Sequence, residues 1–170
     1  MKKIWFYVIG LILMFLSFIF DREISDFFMA KQTNILSGFF GFVTHLGDWF
    51  VVFILIGLLF FYKTNRKTIV LSWVSLLITL VVVNLLKIIF QRERPFDIGT
   101  GFSFPSAHAG AVFSVIPFFV ILFKKYKYWF FLISGLVAFS RIYLGYHFLS
   151  DVIFGLLLGY FIGDTIAKNE

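Results

Sequence analysis

The sequence predicts an all-α membrane protein: a six-transmembrane-helix bundle with an interfacial amphipathic helix between helices 1 and 2. Three observations carry that prediction. Hydrophobic residues make up 61% of the 170 residues and charged residues only 14%, against about 25% charged in a soluble domain. The apolar residues, 27 phenylalanines among them, come in long runs, and runs of about 18 or more read as spanning helices. The charges fall in short clusters between those runs. No polar stretch is long enough for a second domain, so residues 1–170 read as a single integral membrane domain.

The spans follow in order: roughly Ile4–Phe20, Leu46–Tyr62, Thr68–Ile89, Ser106–Phe123, Tyr128–Tyr146 and His147–Ala167. The first begins "MKK" like a signal peptide, but "DREISD" follows it with no small-residue cleavage site, so it reads as retained. Between the first and second spans, Ile24, Phe27, Phe28, Ile35, Leu36, Phe39 and Phe40 recur at helical spacing, with Asp26, Lys31 and Gln32 among them. That pattern fits a helix lying in the membrane interface, and equally an ordinary packed connector.

The charges give the direction. With six spans, both termini share a side with the second–third and fourth–fifth loops. Those segments hold nine cations (Lys2, Lys3, Lys63, Arg66, Lys67, Lys124, Lys125, Lys127, Lys168) against two acids (Asp164, Glu170). The other side holds six cations (Arg22, Lys31, Lys87, Arg92, Arg94, Arg141) and seven acids. The positive-inside rule therefore puts both termini in the cytoplasm and "FPSAHAG", residues 104–110, at the outer face. A net charge of +6 distributed in this way is a topology signal and speaks against a nucleic-acid partner. Cysteine is absent, which excludes disulfides and a thiolate metal site.

Three segments meet at that outer face. They are "KIIFQRERP" with Lys87 and Arg94–Pro95, "PSAH" from Pro105 to His108, and "SRIYLGYHFLSD" from Ser140 and Arg141 to His147 and Asp151. These residue types suit phosphoryl transfer. Lys87, Arg94 and Arg141 are cations with no matching carboxylate run, and arginine binds phosphate oxygens in bidentate fashion. Ser106 opens a helix after a proline, and helix N-terminal amides favour anions. His147 and Asp151 are four apart at a helix start and share a face, so the carboxylate can fix one imidazole nitrogen and leave the other free to attack. His108 remains to protonate a leaving group.

Each part alone has an ordinary reading. Lys87 is a snorkelling span-end lysine, Pro105–Ser106 a routine helix start, and His147–Asp151 a structural pair. Arg92 and Glu93 read as solvated, and His45 as structural. The joint occurrence outweighs these readings, because ionisable residues beside spans are functional candidates and here they cluster.

At this point the sequence resembles the type 2 phosphatidic acid phosphatases, which share a fold with the vanadium haloperoxidases. The resemblance rests on Lys87 with Arg94–Pro95, on Pro105-Ser106-Ala107-His108, and on Ser140-Arg141 with His147 and Asp151. Ala107 stands where the family usually has glycine; alanine still offers its backbone N–H. The resemblance implies that His147 is the nucleophile forming a phosphohistidine, that Asp151 orients it, and that His108 protonates the leaving oxygen and then activates water. It implies that Lys87, Arg94, Ser106, Arg141 and the amides near Ala107 and His108 hold the phosphate oxygens. Ser140 is left behind the site. No metal and no cofactor are implied, since the cations stabilise the transferring charge.

The expected function is a membrane lipid phosphatase. Its partner would be a phospholipid or polyprenyl phosphate substrate, with no obligate protein partner. The candidate substrates are lipid A 1-phosphate, undecaprenyl diphosphate, phosphatidylglycerol phosphate and phosphatidic acid. Short loops and the resemblance point to a bacterial inner membrane, with the site facing the periplasm or exterior. Arg92, Asp97, Lys31 and the amphipathic segment are the expected head-group selectors. Two rivals are a haloperoxidase, whose relatives are soluble and larger, and a lipid-phosphate transporter, which would carry a midplane site and internal repeats.

Overall fold

The computed structural model describes residues 2–45, 65–96 and 101–168, without the side chains of Lys2 and Lys3. The described residues are helical, with no strand among them. In chain order come α1 (Lys2–Ala30), α2 (from 34, described to 45), α3 (Arg66–Phe90), α4 (Ala107–Leu122), a 3-10 turn (Lys124–Tyr126), α5 (Lys127–Tyr143) and α6 (Leu149–Ala167). Ile4–Ala30, Arg66–Phe90 and Leu149–Ala167 are long and apolar enough to cross a membrane. The expected second span, Leu46–Tyr62, lies outside the described residues. The six-span expectation is thus met in part.

Several boundaries depart from the sequence reading. α1 does not stop at Phe20 but continues through Ala30. In its charged second half Arg22 and Asp26 pair at 3.6 Å one turn apart, which adds a little to the helix, and Asp21 is buried. The segment expected to form one interfacial helix is therefore divided: residues 22–30 finish α1, and α2 starts afresh at 34. α2 stays at the end of the bundle where α5 finishes. Gln32 Nε2 donates to the Tyr143 carbonyl at 2.8 Å, and Phe40 stacks on Tyr143 with ring centroids 4.5 Å apart. Ile35, Leu36, Phe39 and Phe42 remain exposed on α2.

α5 ends three residues before Tyr146, because Gly145 takes a left-handed conformation (φ 75°) that a helix cannot continue through. His147 consequently lies in the 144–148 connection and not, as expected, in the sixth helix.

α4 is the centre. Every residue from Ala109 to Phe119 is buried, as a helix apolar on all sides must be. One side packs through Ala109, Val112, Phe113 and Ile116 against Val137, Ala138 and Ile142 of α5 and Val152 of α6. The other packs through Ala111, Val115 and Phe119 against Ile69 and Leu76 of α3. With 16 residues, α4 is about 24 Å long at about 1.5 Å per residue. That is short of the ~30 Å of hydrocarbon in a bilayer.

The closest approach is between α4 and α6. Gly155, Gly159 and Gly163 repeat every fourth residue along α6, facing Ser106, Gly110 and Ser114 at the same spacing on α4. A Cβ built on Gly159 would fall 2.1 Å from the Gly110 carbonyl oxygen, and one on Gly163 would fall 2.2 Å from that of Ser114. Both obstacles are backbone, so no side chain can move aside. Gly159→Val should therefore force the helices apart and destabilise the fold by about 1–3 kcal/mol or more. It should lower the thermal midpoint in detergent, while Gly135→Ala, with nothing within 4 Å, leaves it unchanged or raised. Equal midpoints for the two would show that the α4–α6 contact is not needed.

Candidate active site

The site forms where α3, α4, α5 and α6 meet at one end of the bundle, and four connections lock it. Ser106 N–H donates to the Asp151 carbonyl at 3.0 Å, which joins the start of α4 to the first turn of α6. Lys87 Nζ, in the last turn of α3, donates to the Phe102 carbonyl at 2.5 Å and the Ser103 carbonyl at 3.3 Å, just ahead of Pro105-Ser106. Arg94 donates to the Tyr146 carbonyl at 3.0 Å and to the Gly101 carbonyl at 3.1 Å. The Arg141 carbonyl accepts from Tyr146 N–H at 3.0 Å and His147 N–H at 3.2 Å, which winds the 144–148 connection back over its own helix.

Tyr146 is the pivot. The Arg141 guanidinium lies 4.3 Å from its ring centroid and the Arg94 guanidinium 5.9 Å, so one ring gathers two cations from distant parts of the chain. Buried Arg141 is aimed further by Thr44 of α2, whose hydroxyl accepts from Nη1 at 2.8 Å.

Ser106 occupies the N-cap position of α4, yet its side chain makes no cap bond. Its Oγ is fully buried and has no hydrogen-bond partner among the described residues. A buried hydroxyl without a partner is costly, and here it stands beside the first-turn amides of α4, an arrangement suited to an anion. That departs from the routine helix start. Ala107 and His108 occupy the first turn of α4, both half-buried.

His147 and Asp151 meet, though not as neighbours on one helix face. His147 precedes α6, and the extended backbone at Phe148 (φ −70°, ψ 161°) turns its ring back toward the first turn. Nδ1 stands 3.7 Å from Asp151 Oδ2, longer than a formed hydrogen bond but in the direction that leaves Nε2 free. Oδ2 also accepts from Phe148 N–H at 2.9 Å. Burial pushes the His147 imidazole down to about 4; Asp151 opposes that shift, while Arg141 and Lys87 reinforce it. The two cations therefore act on this ring.

The structure brings together Lys87, Arg94, Ser106, Arg141, His147 and Asp151, with Ala107 and His108 one and two residues beyond Ser106. It does not bring Ser140 in, since that hydroxyl is fully buried and bonds back to the Val137 carbonyl at 2.7 Å. His45 is exposed on α2, Lys31 is exposed in the turn before it, and Asp97 lies outside the described residues. Arg92, which read as solvated or as a head-group selector, pairs instead with Asp151 at 2.6 Å and with Asp21 at 2.8 Å. Glu93 is exposed, as expected. Sequence reasoning missed Asp21, Thr44, Tyr146 and Ser150. Asp21 had a signal, an acid at the end of an apolar run; a threonine or serine inside an apolar helix carries none.

A helical bundle with apolar spans and a cluster of cations around a buried histidine–carboxylate pair defines a membrane phosphoryl-transfer protein. Residues 68–168 match the PAP2 superfamily, and the chain belongs to that family. It is 27% identical to undecaprenyl-diphosphatase of Sulfolobus acidocaldarius, over 100% of this chain and 93% of the relative. It is 36% identical to phosphatidylglycerophosphatase B of Bacillus subtilis, over 69% of this chain and 66% of that one. Its fold superposes on the crystal structure of a transmembrane PAP2-type phosphatidylglycerolphosphate phosphatase from Bacillus subtilis with a TM-score of 0.79 at 26% identity, covering 99% of this chain and 95% of the other. The chain is a PAP2-type membrane lipid phosphatase.

Two outcomes follow from the geometry. His147 is neutral when folded, whereas an unfolded histidine takes up its proton near pH 6.5. Stability should therefore fall as pH drops from about 6.5 toward 4. The thermal midpoint of wild type should decline through that window and that of His147→Gln less; parallel decline would sink the assignment. Thr44→Val removes an acceptor from the Arg141 guanidinium. Arg141 is then less firmly aimed, so affinity for inorganic phosphate by calorimetry should fall. Unchanged affinity would show that Thr44 does not aim Arg141.

Proposed function

We propose that this chain hydrolyses the phosphate or diphosphate head of a membrane lipid through a phosphohistidine on His147, at the outer face of the cytoplasmic membrane. The observation that carries this reading is the buried His147–Asp151 pair, in which burial keeps the imidazole neutral beside the Asp151 carboxylate while Lys87 and Arg141 act on the ring. His147 Nε2 attacks the terminal phosphorus while Asp151 accepts the hydrogen bond from Nδ1–H, and the bond from that phosphorus to its leaving oxygen breaks; that oxygen is the lipid oxygen in a monoester and the bridging oxygen in a diphosphate. His108 gives the leaving oxygen its proton. It then takes a proton from a water that attacks phosphorus, which breaks the phosphorus–nitrogen bond, releases inorganic phosphate and restores His147. Lys87, Arg94, Arg141, the Ser106 hydroxyl and the first-turn amides of α4 hold the three spectator oxygens and stabilise their charge.

A lipid substrate is supported by the space around the site. A cleft of about 730 Å³ bordered by Arg22, Glu93, Arg94, Pro95 and Phe102 leaves room for a polar head. An apolar groove of about 580 Å³ between α1, α5 and α6, lined by Ile24, Phe27, Phe28, Phe139 and Leu149, suits an acyl or prenyl chain. Relatives named for undecaprenyl diphosphate and for phosphatidylglycerophosphate share the phosphate and little else, so the common chemistry is the phosphate ester beside an apolar chain.

The test is phosphate release by purified protein in detergent containing EDTA. The panel holds undecaprenyl diphosphate, phosphatidylglycerol phosphate, phosphatidic acid and lipid A 1-phosphate. Release is expected to survive EDTA, and His147→Ala should abolish it while leaving lipid binding in place. Turnover that persists in His147→Ala would overturn the phosphohistidine; loss with EDTA would overturn the metal-free mechanism.

A further inference from the structure

Arg92 lies between the two arginine-containing parts of the site and takes no part in the phosphate cradle described above. Its surroundings explain why. Nη1 donates to Asp151 Oδ1 at 2.6 Å and to Ser150 Oγ at 2.7 Å. Nη2 donates to Asp21 Oδ2 at 2.8 Å. Two rings also stand near the guanidinium, with the Phe148 ring centroid 4.1 Å and the Phe18 centroid 5.0 Å away. Both terminal nitrogens are thus engaged by groups of the protein itself.

Asp21 completes the arrangement. Its Oδ1 accepts from Ser150 N–H at 3.0 Å and its Oδ2 from the Ser150 hydroxyl. An acid on α1 thereby satisfies an N-terminal amide of α6, a capping function served here by a different helix. The side chains of Asp21 and Asp151 are only 4% and 0% exposed. Two carboxylates removed from water need a shared counter-charge, because breaking a buried pair strands the remaining ion. Arg92 is that counter-charge, and its planar fork spans both where a lysine could not.

The consequence lies in which oxygen of Asp151 faces the histidine. Arg92 takes Oδ1, and Phe148 N–H takes Oδ2 on the side where His147 Nδ1 stands 3.7 Å away. With Oδ1 fixed, the carboxylate cannot turn about its terminal bond. We infer that Arg92, held by Asp21 of α1, is a positioning residue that fixes the Asp151 carboxylate and through it the His147 ring. The inference rests on the reading of His147 as the nucleophile, and it replaces the expectation that Arg92 selects the head group.

The test uses the full chain in detergent, with histidines labelled with nitrogen-15 and the His147 signal identified by its loss in His147→Gln. Arg92→Met should shift the His147 nitrogen signals by changing its tautomer balance. Asp21→Asn, which leaves the Arg92–Asp151 bond in place, should shift them less, and Arg92→Lys should lie between wild type and Arg92→Met. Kinetically, Arg92→Met should lower kcat about tenfold to a hundredfold, the scale of a small misplacement of a reacting group. The loss should be the same on a short-chain phosphate ester and a long-chain lipid, with KM little changed. His147 signals identical to wild type in Arg92→Met, or a loss confined to one head group, would overturn the inference. Should Arg92→Met not fold, Arg92→Lys and Asp21→Asn carry the same comparison. If wild type released no phosphate while its His147 signals still answered to Arg92, the phosphatase reading would fall and the positioning role would stand.

Discussion

The close contact of α4 with α6 is the constraint on which the rest depends. A Cβ on Gly155 would lie 2.5 Å from the Ser106 carbonyl oxygen, so at this point backbone rests on backbone. In a lipid surround no hydrophobic force drives helices together, and small residues that permit such approach supply the packing instead. Because the helices touch at their site-bearing ends, the Ser106 amide reaches the Asp151 carbonyl. The start of α4 and the first turn of α6 then stand side by side, while hydrogen bonds to Arg141 and Lys87 hold the connections that carry His147 and Ser103. α3 joins the same contact from outside, with Ser75 Oγ donating to the Ser114 carbonyl at 3.1 Å.

Lys87, Arg94 and Arg141 donate to carbonyl and hydroxyl oxygens near the site, which fix where each side chain points. Arg92 pairs with the carboxylates of Asp21 and Asp151, which offset its charge. The central helix is short beside its neighbour. α3 is 25 residues long, about 37 Å at about 1.5 Å per residue, and so outreaches α4.

What was legible in the sequence was local in the chain. Lys87, Arg94, Ser106, Arg141, His147 and Asp151 lie at one end of the bundle, where the three motifs at matching helix ends place them. Long apolar runs among the described residues are helical, with some ends displaced. Gly145 ends α5 early, and α1 runs on past Phe20 to Ala30. What was not legible was pairing across the fold. Arg92 looks like its neighbour Arg94 in sequence, and only the partner 71 residues away makes it an internal tie. Thr44 and Tyr146 act through where they sit, and nothing in their type announces it.

The supports of Arg92 and Arg141 have a bearing on how far the family's defining region can stand alone. The family match runs from residue 68 to 168 and contains all three motifs. Asp21, which engages Arg92, and Thr44, which engages Arg141, both precede it. Transplanting that stretch onto another membrane scaffold would carry the reactive groups and leave behind the residues that hold Arg92 and Arg141. Exchange of parts between members of this family must therefore be sought at whole-chain junctions, with the leading helices travelling together with the motifs.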